Sequence, residues 1–182
     1  MKFLKSRRGA AVITALVVAF SIVFGAGRSL NAVRNDIWTV YDQGVNGDGH
    51  SVRGDLEARR NTCINLYKVA TNYLPETDLD GLASLLERTA RENESISRTT
   101  ASYEDLDVIA GLVIRKLQEQ PLSGKDAQYV SGFQTELQSR TFSIAHDPYT
   151  EMAETFNTRT LTAFPANLLH RVAGVKSLPV YH

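Results

Sequence analysis

Cysteine is nearly absent. Cys63 is the only one in 182 residues, so no disulfide can form within the chain and stability must come from packing. Proline is also scarce, and Pro75, Pro121, Pro148, Pro165 and Pro179 leave long uninterrupted stretches in which helices can run. Strand-like alternation of apolar and polar residues is missing, as is any internal repeat. Net charge is zero, with 20 basic and 20 acidic residues. Four of the basic residues precede position 27, where there are no acids. The remainder therefore carries 16 basic against 20 acidic residues, a net −4, which argues against a nucleic-acid or anionic-lipid surface on that part.

Catalytic patterns are missing too. His50, His146, His170 and His182 include no pair four residues apart, and HExxH, GxSxG, P-loop and dinucleotide fingerprints are all absent. The expectation is a non-enzyme without a cofactor. His146, beside Asp147, reads as a hydrogen-bonded histidine of a helical bundle. Cys63 lies in an apolar helical stripe and reads as a small buried hydrophobe.

What the chain does have is a long apolar run near its start. Lys2, Lys5, Arg7 and Arg8 precede an uncharged stretch, Gly9–Gly27. Nineteen helical residues reach roughly 28 Å, about the thickness of a bilayer's hydrocarbon core. Only Arg28 and Arg34 follow closely, and this asymmetry places the N-terminus in the cytoplasm and the rest outside. Gly25-Ala26-Gly27 has the small-x-small form of a signal-peptidase site. The run is longer than a typical signal sequence, however, and a helical pattern continues past it, so it reads as an uncleaved anchor. The expected organisation is a basic flank over 1–8, a transmembrane anchor over 9–27 and an extracytoplasmic helical domain over 28–182, in the plasma membrane of a bacterium.

Leu30, Val33, Ile37 and Val40/Tyr41 continue a 3–4 spacing without Gly or Pro to Gln43, so the anchor helix should become the first helix of the domain. Trp38 lies about 16 Å beyond Gly27 by helical rise and is expected in the core. A second helix is predicted over 55–74, closed by Pro75, with Leu56, Cys63, Leu66/Tyr67 and Ala70 on one face. Thr77 with Asp80 should start a third, carrying Leu82, Leu85/Leu86 and Ala90. The polar stretch 93–100 should break the pattern, after which Ser102 with Asp105 caps a helix with Tyr103, Leu106, Ile109/Ala110, Val113 and Leu117 as its stripe. Ser123 with Asp126 should cap the last long helix, through Tyr129, Phe133, Leu137 and Ile144. A kink or a restart capped by Asp147 is expected at Pro148, and a stop at Pro165. The acids Asp78/Asp80 and Glu104/Asp105/Asp107 are assigned to first helical turns. The fold class is all-α, an N-terminal transmembrane helix continuing into an antiparallel bundle of about four long helices.

One segment resembles the opening of an EF-hand loop. Asp42, Asn46 and Asp48 fall at its positions 1, 5 and 7, and Gly47 at position 6. Position 3 is Gly44, however, and position 12 is Arg53, where a bidentate Glu belongs. A turn is the main reading, with weak cation binding the alternative.

The C-terminal part carries a resemblance to a known family. Tyr149-Thr150, Phe156-Asn157, Phe164-Pro165-Ala166-Asn167-Leu168-Leu169, Gly174-Val175-Lys176 and Tyr181 resemble the closing signature of the LemA family, which typically has two aromatic-Asn pairs seven residues apart. Asp55-Leu56, Asn65-Leu66, Val69-Ala70 and Tyr73-Leu74 are similar to that family's second helix. Departures are Thr150 in place of Asn and the glycine-rich stretch 44–49. The resemblance implies a membrane-anchored helical bundle without assigned biochemistry, and supplies no catalytic residue. Tyr149, Phe156, Asn157, Phe164, Pro165, Asn167 and Leu168 are read as a structural signature.

The leading functional expectation is a non-enzymatic, membrane-tethered module that binds another envelope protein or itself. A pilin-like subunit is an alternative, because Arg7-Arg8-Gly9-Ala10-Ala11-Val12 resembles a prepilin leader. Thr14, however, stands where such leaders carry Glu. A cation sensor using the 42–53 loop is the other alternative.

Overall fold

The computed structural model describes residues 7–47, 49–91 and 96–180. Every regular element among them is helical: α1 (Arg7–Gln43), α2 (Val52–Ala70), α3 (Glu76–Arg91), α4 (Ile96–Gln118), α5 (Gly124–Ala145), α6 (Pro148–Thr155) and α7 (Ala166–Val172). A short 3-10 turn follows α1 and a π-helical turn, Phe156–Thr160, follows α6. The chain forms two compact units. One is Val40–Thr150 with Pro179–His182, and the other is Met1–Thr39 with Glu151–Leu178.

In the first unit α2, α3, α4 and α5 form an up-down-up-down bundle. Polar contacts fix the directions. The start of α2 meets the end of α5 through Asp55–Arg140, while Tyr73, just past α2, donates to Asp126 in the first turn of α5. The start of α3 meets the end of α4 through Asp78–Lys116, and Arg88 near the end of α3 reaches Ser102 and Asp105. Neighbouring helices thus run antiparallel, as their short connections require.

Local chemistry sets the helix ends. Gly44 adopts φ 79° and donates its N–H to the Val40 carbonyl, a left-handed C-terminal cap that suits glycine and stops α1 where the sequence predicts. Ser51 accepts from the Gly54 N–H at 3.1 Å, so α2 starts at Val52, three residues before the predicted Asp55. Ser123 caps α5 as predicted, accepting from the Asp126 N–H at 3.1 Å. Asp147 accepts from the Tyr149 N–H at 2.8 Å and restarts the chain at Pro148, also as predicted.

Ser102 departs from expectation. The helix α4 already runs from Ile96, so Ser102 lies inside it and cannot act as an N-cap. Its buried hydroxyl accepts instead from Arg88 Nε at 3.0 Å. For the same reason Glu104, Asp105 and Asp107 are not first-turn acids; Asp105 and Asp107 serve as partners for arginines of other helices.

The bundle core is largely leucine. Leu56, Leu66, Leu79, Leu82, Leu106 and Leu117 are at most 2% exposed, joined by Cys63, Ala70, Ala110, Val113 and Val130. Each such leucine contributes about 1.5–3 kcal/mol by leaving water. On α5 the predicted stripe is displaced by one residue at its start: Val130 is buried while Tyr129 is exposed and stacks on Phe133 at 6.3 Å. Ala90 is likewise exposed, and Thr89 takes the inward position, its hydroxyl donating to the Leu85 carbonyl.

In the second unit Ile37, Ala153, Phe156, Leu161, Val175 and Leu178 are buried. Trp38 is half-buried and not a core residue; the Arg34 guanidinium lies over its ring at 5.9 Å. The segment α7 packs against α1 at Gly27, where an added Cβ would stand 2.7 Å from the Ala173 Cβ. Only a glycine allows that approach.

Candidate interaction surfaces

Exposed apolar residues are concentrated on α1. Leu16 is 65% exposed, Phe20 70% and Phe24 62%, and the uncharged part of the helix is almost entirely uncovered. It is the one helix among the described residues long and apolar enough to cross a membrane. A soluble surface rarely shows so continuous an apolar face.

The bundle carries a second candidate surface. A groove of about 600 Å³ runs between α4 and α5. Ile114, Leu137 and Phe142 give it an apolar floor and side, with Gln118, Gln134 and Thr141 among its polar lining. Gly111 opens its wall, since nothing lies within 4 Å of where its Cβ would be. Phe142 is 65% exposed and stacks on the His146 ring at 4.0 Å. His146 is thus an exposed residue at the end of α5, its Nδ1 2.9 Å from the Phe142 carbonyl. It is the hydrogen-bonded bundle histidine that the sequence leads one to expect, placed at the surface.

Beneath this surface lies an ion pair that the sequence analysis missed. Arg59 of α2 is 6% exposed and its guanidinium pairs with Asp107 of α4. Burial pulls the Arg59 guanidinium below its ordinary value, opposed by Cys63, Tyr103 and the acids Asp55 and Glu104. The signal was available: Arg59 interrupts the apolar stripe between Leu56 and Cys63. Cys63 itself is fully buried, and burial pushes its thiol up to about 12, with Arg59 opposing. A neutral thiol in that setting is inert. At the far end of the bundle, Asp126 is held below the usual carboxylate range by hydrogen bonds from Tyr73 and Ser123.

In the 42–53 loop Asp42 pairs with Arg53 at 3.2 Å, so the cation at the closing position sits on the first candidate ligand. Asn46 adopts the left-handed conformation at φ 57°, and Asp48 lies outside the described residues. No group of three or more His, Cys, Asp or Glu side chains among the described residues could hold a metal.

The signature residues separate into two sets. Tyr149 and Phe156 are buried, as two turns of spacing on one face imply. The Tyr149 hydroxyl donates to the Pro179 carbonyl at 2.8 Å, and its ring meets Tyr41 at 5.2 Å. Asn157 clamps the tail. Its Nδ2 donates to the Leu178 carbonyl at 2.7 Å and its Oδ1 accepts from the Leu178 N–H at 2.8 Å. By contrast Phe164 is 81% exposed, Leu168 60%, and Pro165 is exposed as well. Asn167 is half-buried, its N–H bonded to the Ala163 carbonyl. Tyr181 lies outside the described residues.

No family model, curated protein or solved structure matches the chain.

Proposed function

We propose that the protein is a single-pass membrane-anchored module of a bacterial envelope, with its N-terminus in the cytoplasm and its helical bundle outside, acting as a non-enzymatic scaffold for a protein partner. The observation that carries this is the contrast in apolar exposure: the leucines of α2–α5, Leu112 apart, are hidden, while the uncharged run of α1 is uncovered over most of its length. The basic residues before that run and their scarcity after it support the orientation. The groove between α4 and α5 offers a partner a surface of the kind that takes one face of an amphipathic helix. We also propose membership of the LemA family, on the signature residues over 149–176 and the second-helix likeness.

A labelling experiment tests the anchor and its orientation. In a Cys63→Ala background, the Lys125→Cys variant should react with a membrane-impermeant maleimide on intact cells, and the protein should stay in membranes washed with alkaline carbonate. Release by the wash, or labelling only after lysis, overturns the reading. In-cell crosslinking from the Gln134→Cys position should capture a discrete protein neighbour, and Phe142→Asp should abolish the capture.

A further inference from the structure

We infer that α7 is an interfacial membrane segment, seated in the outer leaflet against the emerging anchor through Phe164, Leu168 and Val172. The inference rests on the reading that α1 spans the bilayer. Leu168 and Val172, four apart on α7, project from one side of it, Phe164 stands in the turn just before the helix, and the three are 60%, 73% and 81% exposed. Among the described residues they stay largely uncovered. Their depth relative to α1 is fixed by contact. Val172 and Ala173 line the same groove, about 590 Å³, as Phe20, Val23 and Phe24 of the apolar run. Gly27 takes the Ala173 methyl at a separation no other residue would permit. The end of α7 is therefore already level with side chains that the bilayer would surround.

Two further observations match a lipid occupant. Along α1 the groove passes from Phe20 and Phe24 to Arg28, Asn31 and Asn35, the same apolar-to-polar gradient that a leaflet has from acyl chains to headgroups. Charge agrees as well. Residues 155–182 contain Arg159, Arg171 and Lys176 and no acid, although the chain after residue 26 is net negative. Short segments with apolar side chains on one side and cations beside them lie in the interface in this way.

The test uses the full chain with Trp38→Phe, which removes the only tryptophan. Phe164→Trp, Leu168→Trp and Val18→Trp are introduced singly and reconstituted in phosphatidylethanolamine–phosphatidylglycerol vesicles, with and without brominated acyl chains. The tryptophans at 164 and 168 should emit at blue-shifted wavelengths and lose most of their emission in brominated lipid, as the Val18→Trp reporter does. Adding Leu168→Asp to the Phe164→Trp variant should return that emission toward its position in water. Quenching of the Val18→Trp reporter with unquenched, iodide-accessible emission at 164 and 168 overturns the inference and leaves the anchor standing. Quenching at 168 without quenching at 18 overturns the span, and with it the seat beside an emerging anchor. Shielding at 168 from both iodide and brominated lipid means that protein covers the ridge, which also overturns the inference.

Discussion

In the α2–α5 bundle Leu66, Leu82, Leu106 and Leu117 have no exposed surface, whereas on α1 Leu16, Phe20 and Phe24 stand more than 60% exposed. The same class of side chain is treated in opposite ways by two regions of one chain. The bundle region contains charges at regular intervals, which force each helix to choose an inner face. The α1 run from Gly9 to Gly27 contains none and so has no face to turn toward water. What distinguishes the regions is the placement of charge more than the amount of apolar surface. The bundle's charges are also used as cross-links, Asp55–Arg140, Arg59–Asp107 and Asp78–Lys116, each between different helices.

The sharpest way to set the regions apart is chemical. Burial holds the folded Cys63 thiol near 12 against an ordinary value of 9.0. Its alkylation at pH 8 should therefore be about a thousandfold slower in the folded bundle than in the unfolded chain. The folded pKa is raised, so its contribution to stability is complete below the unfolded thiol's pKa and is lost as pH rises from there toward about 12. Urea titrations across that alkaline range, taken as the difference from Cys63→Ala so that the tyrosines and lysines titrating there cancel, check it.

Asp107→Ala leaves the Arg59 charge buried and unpaired, and should cost the bundle about 3 kcal/mol in chemical denaturation. Pairing it with Arg59→Met should recover most of that loss, and retention in membranes should not change. Asn157→Ala removes both hydrogen bonds to Leu178 and should cost about 2 kcal/mol, read as faster amide exchange over 174–178 with the α2–α5 amides unaffected. The smallest effect has the opposite direction. Gly132 lies inside α5 with open space around the place its Cβ would occupy, so Gly132→Ala should stabilise the bundle by about 0.5–1 kcal/mol.

Much of this architecture could be read from single residues. Gly44, Ser123 and Asp147 with Pro148 mark ends that depend on local backbone chemistry, and there the sequence reading and the structure agree. Features set by neighbours were less legible. Ser102 has the spacing of a cap, but a partner fourteen positions away in sequence cannot be weighed without knowing that Arg88 faces it across the α3–α4 pair. Tyr129 and Val130 are both apolar, and only the crossing of α5 with its neighbours decides which one turns inward. The Arg59–Asp107 pair needed both halves to be recognised together, since a lone arginine in a stripe reads as an exposed one. The signature was visible as sequence, but not its division into the buried Tyr149 and Phe156 with the half-buried Asn157 clamp, and the exposed Phe164 and Leu168.

The close approach of Ala173 to Gly27 has a consequence in time. Synthesis proceeds from the N-terminus at about 5–20 residues per second, so on the order of ten seconds separates the emergence of these two residues from the ribosome. The apolar run must find its surroundings long before its own C-terminal companion exists, while the α2–α5 sequence between them has every helix it needs to close first. Chains released before residue 166 would carry the α2–α5 helices and an unaccompanied apolar run, and α7 with Ala173 decides whether the groove beside α1 has a second wall.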